Sequence, residues 1–236
     1  MPATTGFCSS TADGTFESAV SGTFVPALPG TFESDTGGTF NPLLSFSGCT
    51  SLTKAPMLPA MVLAAGCYSY MFSGCTSLTK APELPATKLA SNCYSSMFNG
   101  CTNLTEAPEL PATELVEACY NGMFEGCTNL TKGPELLLTK LASRCYYGMF
   151  SGCTSLTEAP ELPATNLAPY CYYGMFEGCT SLNYVKALFT DEPSNRTTGD
   201  WLWGVSSAGT FVKSKDATWD VRGDDGIPDG WTVVTE

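Results

Sequence analysis

A 26-residue segment that recurs without gaps is the feature that most restricts how this chain can fold. Five copies follow one another, at residues 46–71, 72–97, 98–123, 124–149 and 150–175. A sixth opens at Phe176 with FEGCTSL, and the pattern is lost after Leu182. A unit of this length cannot bury its own apolar face, so neighbouring copies must stack to share a core. The sequence therefore predicts a solenoid over residues 46–182.

The interior of one copy predicts a short helix and a short strand. Apolar residues follow Thr87 with the spacing of one helix face, at Leu89, Ala90, Cys93, Tyr94, Met97 and Phe98. Thr87 is placed to cap such a helix and Gly100 to end it. Cys101, Leu104 and Ala107 then alternate with polar residues, which is typical of a brief strand. We therefore expect an α/β solenoid with one helix and one parallel strand per coil.

The repeated motifs resemble a known family. GCTSLT and GCTNLT, each followed by proline-marked turns, are similar to the BspA-like leucine-rich repeats of bacterial surface proteins, and the resemblance covers residues 46–182. The C-terminal GIPDGWTVV at 226–234 also resembles tail segments of such proteins. The resemblance implies adhesion or ligand recognition at an exterior surface. It implies no catalytic residues and no cofactor.

The composition argues against several other functions. The chain has no histidine, which removes the side chain best suited to proton transfer and the commonest metal ligand. A net charge of −12 disfavours binding to nucleic acid or to anionic lipid. No apolar run approaches the roughly 20 residues that a membrane helix needs. We expect no enzymatic activity. A carboxylate-based hydrolase is a distant alternative that would need a groove with two inward carboxylates.

The twelve cysteines form two columns at the repeat period, with Cys8 outside them. One column contains Cys49, Cys75, Cys101, Cys127, Cys153 and Cys179, and the other contains Cys67, Cys93, Cys119, Cys145 and Cys171. Disulfides within repeats would join residues eight apart, which a helix separates by about 12 Å, beyond the roughly 7 Å limit for bridged Cα atoms. Buried thiols are therefore favoured over disulfides. Zinc binding is favoured even less, because each repeat supplies only two cysteines, at a spacing that zinc sites do not use, and no histidine.

Two charged columns are the candidate ligand-facing residues. One contains Glu83, Glu109, Glu135 and Glu161, and the other contains Lys54, Lys80, Glu106, Lys132 and Glu158. Equivalent residues on stacked strands lie about 4.8 Å apart, so a column of glutamates repels itself unless a cation, lysines or a basic partner offset the charge. A solvated face of mixed sign is the simpler interpretation. The alternative is the binding surface of the solenoid.

The two ends differ from the repeats in composition. Residues 1–45, which we call the N-terminal arm, carry glycine every eight residues and four GTF triplets with Phe16, Phe24, Phe32 and Phe40. The arm is interpreted as an anchoring or oligomerising segment, or as a flexible linker. Residues 183–236 contain all four tryptophans and are predicted to cap the solenoid. Aromatic sugar stacking is an alternative for them. Asp220, Asp224, Asp225 and Asp229 do not match an EF-hand and are treated as solvated.

The predicted function is recognition of a protein or glycan receptor, without membrane insertion. Two settings remain open. A cell-surface adhesin fits the family resemblance, although no secretory signal peptide is visible in this chain. A phage fibre or virion decoration protein fits the period-eight arm, which would then join the chain into a homo-oligomer, expected to be a trimer. Either setting places the protein at an extracellular or virion surface.

Overall fold

The computed structural model describes residues 45–236, and within this range it contains three β-strands and no helix. The strands are β1 (Tyr184–Ala187), β2 (Thr210–Lys213) and β3 (Thr232–Thr235). They form one parallel sheet in the order β1-β2-β3, with Tyr184 opposite Thr210 and Thr210 opposite Thr232. The remaining described residues form turns and extended segments whose successive coils stack into a solenoid-like repeat fold.

The predicted helix is wrong, and a ribbon of overlapping turns takes its place. In residues 92–100 successive backbone amides alternate between two kinds of hydrogen bond, one to the next coil and one within the same coil. Tyr94 and Phe98 donate to Cys119 and Met123 of the next coil, at 3.0 and 2.9 Å. The alternate amides between them close four-residue turns, as Met97 does on the Tyr94 carbonyl at 3.3 Å. We call this element the turn ribbon. It recurs in segments 66–74, 92–100, 118–126, 144–152 and 170–178.

The backbone of the turn ribbon excludes an α-helix. Every fourth residue has a positive φ, as at Asn92 (58°), Ser96 (52°) and Gly100 (71°). A right-handed helix needs negative φ at each residue, and only glycine adopts the left-handed region without steric cost. The ribbon tolerates asparagine and serine there because each turn is tied to the next coil by the hydrogen bonds described above.

Two columns of aromatic rings fill the core behind the ribbon. The phenylalanines of successive coils are fully buried from Phe72 to Phe176, and neighbouring rings stack with centroids 5.5–5.7 Å apart. A parallel column of tyrosines runs from Tyr68 to Tyr172 at 5.8–6.1 Å. Offset stacking at these separations contributes beyond burial alone. Because each ring contacts an equivalent ring on either side, the coils form one continuous core.

The cysteine columns are buried, and no disulfide joins any two cysteines within residues 45–236. One column also makes a regular polar contact. The Cys101 thiol donates to the Phe72 carbonyl at 3.1 Å, and the same bond recurs at Cys127, Cys153 and Cys179. Burial raises the thiol pKa, to about 12 in Cys101. The thiols therefore stay protonated and serve as small core residues with a weak donor.

The strand predicted in each coil is mostly reduced to single parallel bridges. Lys80 pairs with Glu106, and Glu106 pairs with Lys132. Glu158 pairs with Tyr184, where β1 begins. Parallel pairing is as predicted, but prolines two residues after these positions (such as Pro82 and Pro108) lack an amide donor and limit its length. Within residues 45–236 only β1 to β3 are long enough to form a sheet.

Residues 183–236 pack onto the last full repeat. Three tryptophans are buried, and each indole N–H donates to a backbone carbonyl: Trp201 to Gly226, Trp219 to Phe189 and Trp231 to Ser206. Trp201 also stacks on Tyr172, with ring centroids 6.4 Å apart. This packing suits the predicted terminal cap, which stays a prediction together with the domain boundaries.

Candidate functional site

The mixed-sign column lies on the face that carries the parallel bridges. Lys54, Lys80, Glu106, Lys132 and Glu158 are all exposed. From Lys80 to Glu158 the charge alternates from one coil to the next. Yet no ion pair closer than 4 Å joins any two of them among the described residues. Their charges are therefore turned to solvent and remain available to a partner.

The glutamate column runs beside it, three residues further along each coil. Glu83, Glu109, Glu135 and Glu161 are exposed. Only the last has an ion pair within the described range, to Lys186 at 3.3 Å, and Lys186 also contacts Glu236 at 2.7 Å. The bond to Glu236, followed by that to Glu161, raises the pKa of Lys186. The other three carboxylates have no cationic neighbour within 4 Å, so they form no ion pair on this side of the solenoid.

The remaining candidate residues are placed as follows. Phe16, Phe24, Phe32 and Phe40 of the N-terminal arm lie outside the described residues. Among residues 45–236 no group of three or more acidic, cysteine or histidine side chains is arranged to hold a metal ion. Asp220 pairs with Arg222 at 3.2 Å. No helix within the same range is long and apolar enough to cross a membrane.

The repeats match a known protein family. Residues 44–157 match the family described as BspA type leucine rich repeat region, in six copies. Residues 44–157 are a BspA-type leucine-rich repeat region. The leucines at the repeat spacing, from Leu52 to Leu182, are buried behind the bridged face. Comparisons with curated proteins and with solved structures give no match.

Sequence reasoning missed a partly exposed tyrosine cluster on the turn-ribbon side of the repeats. Tyr147 and Tyr173 stack with centroids 5.0 Å apart, and Tyr170 lies 6.0 Å from Tyr173. The Arg144 guanidinium carbon is 5.5 Å from the Tyr170 ring centroid. The Tyr173 hydroxyl donates to Asp200 at 3.1 Å, which raises the tyrosine pKa. The doubled tyrosines of CYYG at 145–148 and 171–174 were the available signal.

A cavity between the third and fourth repeats (residues 98–123 and 124–149) was also missed. Its volume is about 330 Å³. Five of its eleven lining residues are leucines, and Pro111, Ala112, Thr113, Tyr120, Glu135 and Tyr146 complete the wall. The signal was in the fourth repeat, which reads LLL at 136–138 where the repeats on either side read LPA.

Proposed function

We propose that this chain is a non-enzymatic recognition protein on the exterior of a cell, where the two charged columns bind a protein or glycan receptor. The observation that carries the proposal is the set of exposed carboxylates at Glu83, Glu109 and Glu135, which have no cationic partner within 4 Å. A row of like charges costs free energy unless a ligand of opposite charge offsets it. Membership in a surface-associated repeat family supports the location.

The absence of a catalytic role is part of the same proposal. BspA-type leucine-rich repeats are generally non-enzymatic. A carboxylate-based hydrolase needs two carboxylates facing each other across the bond that is cleaved. The cavity between the third and fourth repeats is lined by one carboxylate, from Glu135. The charged columns lie on an open face, where water competes with any substrate.

Neutralising the glutamate column is expected to abolish most receptor binding. Glu83, Glu109 and Glu135 would be replaced together by glutamine. The protein in solution would then be titrated over immobilised extracellular-matrix proteins and glycans. We expect at least about tenfold weaker binding, since each charged contact contributes on the order of 1 kcal/mol. Binding by the unaltered chain should also weaken as salt rises.

A matched control removes the same charge elsewhere. Glu114, Glu117 and Glu125 are exposed residues outside the columns, and their replacement by glutamine should leave binding within about twofold. Equal losses in both triple variants would mean that net charge, and not the column, governs recognition. That outcome would contradict the proposal.

A virion setting is the second candidate, supported by the glycine period of eight in the N-terminal arm. If the arm is an oligomerising stem, the full chain should be a trimer, and removal of residues 1–45 should give a folded monomer because the repeats supply their own core. Light scattering of both chains under reducing conditions measures this. A monomer in both cases would favour the cell-surface adhesin.

A further inference from the structure

We infer that the cavity between the third and fourth repeats is a binding site for a small neutral molecule with an aliphatic body and one oxygen that accepts hydrogen bonds. This inference goes beyond the receptor recognition proposed above and does not rest on it. The cavity is a different site from the charged columns, since Glu135 is the one residue of those columns that lines it.

We attribute the cavity to positions at which the fourth repeat departs from its neighbours, above all Leu138. The alanine of the LPA motif is buried in three other repeats, as Ala86, Ala112 and Ala164, with 1, 8 and 0% of their surface exposed. Leu138 takes this position in the fourth repeat and is only half-buried, because its side chain is too large for the space that alanine fills. Leu137 beside it is 75% exposed.

The backbone amides around Leu138 also make fewer hydrogen bonds than those of the matching stretch in other repeats. No backbone N–H from residue 132 to residue 143 donates to a backbone carbonyl, whereas Thr87, Thr113 and Ala159 do so at the matching stretch of other repeats. Gly133 also replaces the usual alanine there, and an added methyl group would lie 3.1 Å from the Phe150 ring. The Gly133 backbone therefore lies close to the Phe150 ring, and the cavity opens further along the same segment, near Leu138.

The walls of the cavity are suited to an aliphatic ligand. Seven of the eleven lining residues are aliphatic: five leucines (Leu110, Leu115, Leu136, Leu137 and Leu138), Pro111 and Ala112. A volume of about 330 Å³ lies at the lower end of the range for small-molecule sites, which are mostly apolar with a few placed polar groups. An apolar molecule that enters displaces water from these leucines, which favours binding.

We assign the polar part of the site to the hydroxyls of Tyr120 and Tyr146, since both residues line the cavity. The rings of Tyr120 and Tyr146 are held in the stacked tyrosine column, with centroids 6.0 Å apart. Neither hydroxyl has a hydrogen-bond partner within residues 45–236. Neither is sealed from solvent, since every sealed side-chain oxygen or nitrogen in that range has a partner. Burial raises both phenol pKa values, so both hydroxyls remain donors at neutral pH.

The charge around the site selects a neutral ligand. The carboxylate of Glu135 lines the cavity, and the chain as a whole carries a net charge of −12. An anion would be repelled by both, while two neutral donors do not require a charged acceptor. A ketone, ester or amide oxygen therefore fits these hydroxyls better than a carboxylate.

The test uses cyclohexanone as the probe and the full chain in solution, followed by methyl shifts of isotope-labelled leucines. We expect saturable binding with a dissociation constant on the order of 1 mM. Cyclohexanecarboxylate should bind at least about tenfold more weakly. Restoring the motif of the other repeats, with Leu137→Pro and Leu138→Ala together, should close the cavity and abolish binding.

A second pair of variants keeps the test independent of refolding around Leu138. Tyr146→Phe removes one donor and should weaken cyclohexanone binding by about three- to tenfold. Tyr172→Phe is the matched control, because Tyr172 stacks on Tyr146 in the same column but does not line the cavity. The inference is overturned if binding does not saturate, if Leu137→Pro with Leu138→Ala leaves it unchanged, or if the two tyrosine variants weaken it equally.

Discussion

Raising the pH from 8 to about 10.5 is expected to unfold the solenoid. Nine buried thiols have a raised pKa, among them Cys93 at about 11 and Cys119 at about 12. The main cause in each is burial. An unfolded thiol releases its proton near pH 8.5–9, while the folded chain keeps it.

The sign of the effect follows from proton binding in the two states. Below about pH 8 both states are protonated and the thiols contribute fully to stability. Between about pH 9 and 12 the unfolded state binds fewer protons, so the free energy of unfolding falls as pH rises. Each thiol contributes about 1.4 kcal/mol per pH unit. Nine together give on the order of 10 kcal/mol per unit, which is comparable to the whole stability of a domain.

Circular dichroism across this range, with a reducing agent present, measures the transition. A chain with alanine at Cys67, Cys93, Cys119, Cys145 and Cys171 retains the other column, and its stability should depend on pH about half as steeply. Urea titrations at pH 7 and 9.5 give the comparison. A slope that is equal in both chains would show that the thiols are not responsible.

Replacing one ring of the phenylalanine column is expected to destabilise the solenoid strongly. Phe124 is fully buried between Phe98 and Phe150, with centroids 5.7 Å away on both sides. Phe124→Ala removes two stacked contacts and leaves a void in the middle of the stack. We expect a loss of about 3–5 kcal/mol, the range for phenylalanine truncation in a core. The midpoint of urea unfolding measures it.

The control removes an aromatic ring that stacks at the surface. Tyr147 is only half-buried and stacks on Tyr173 with centroids 5.0 Å apart, so Tyr147→Ala should cost less than about 1.5 kcal/mol. A comparable loss in the two variants would mean that stacking in general, and not continuity of the buried column, stabilises the coils.

The repeat and its apolar residues could be read from the sequence, but the turn ribbon could not. Apolar pairs recur every four residues, at Cys93–Tyr94 and Met97–Phe98, which is close to the 3.6-residue period of a helix. Over one short segment, a four-residue period and the 3.6-residue helical period give nearly the same pattern of apolar positions. The deciding signal was glycine at the same four-residue interval, as in Gly122 and Gly126, both with positive φ.

The charged columns lie on an exposed face, because strict repetition places equivalent residues on equivalent surfaces, and their role in ligand binding stays a prediction. The cavity was missed for the complementary reason. A repeat alignment describes what the coils share, and the cavity arises where Leu137 and Leu138 break the pattern. Its size depends on how far the chain shifts around one larger side chain, and this shift is a tertiary effect.

The hydrogen bonds of the turn ribbon give the solenoid a dipole along its axis. In each of the five segments, five amides donate toward the C-terminal neighbour, as Phe124 does to Met149 and Gly126 to Ser151. Peptide dipoles aligned in this way add along the axis, as they do in a helix, but with the positive N–H end at the C-terminal coil. The two ends of the solenoid are therefore chemically different. A covering segment must offer acceptors at the C-terminal end, and the carbonyls of Asp225 and Gly226 do accept there from two side-chain donors, the Thr198 hydroxyl and the Trp201 indole. An added copy of the chain could extend this array only head to tail.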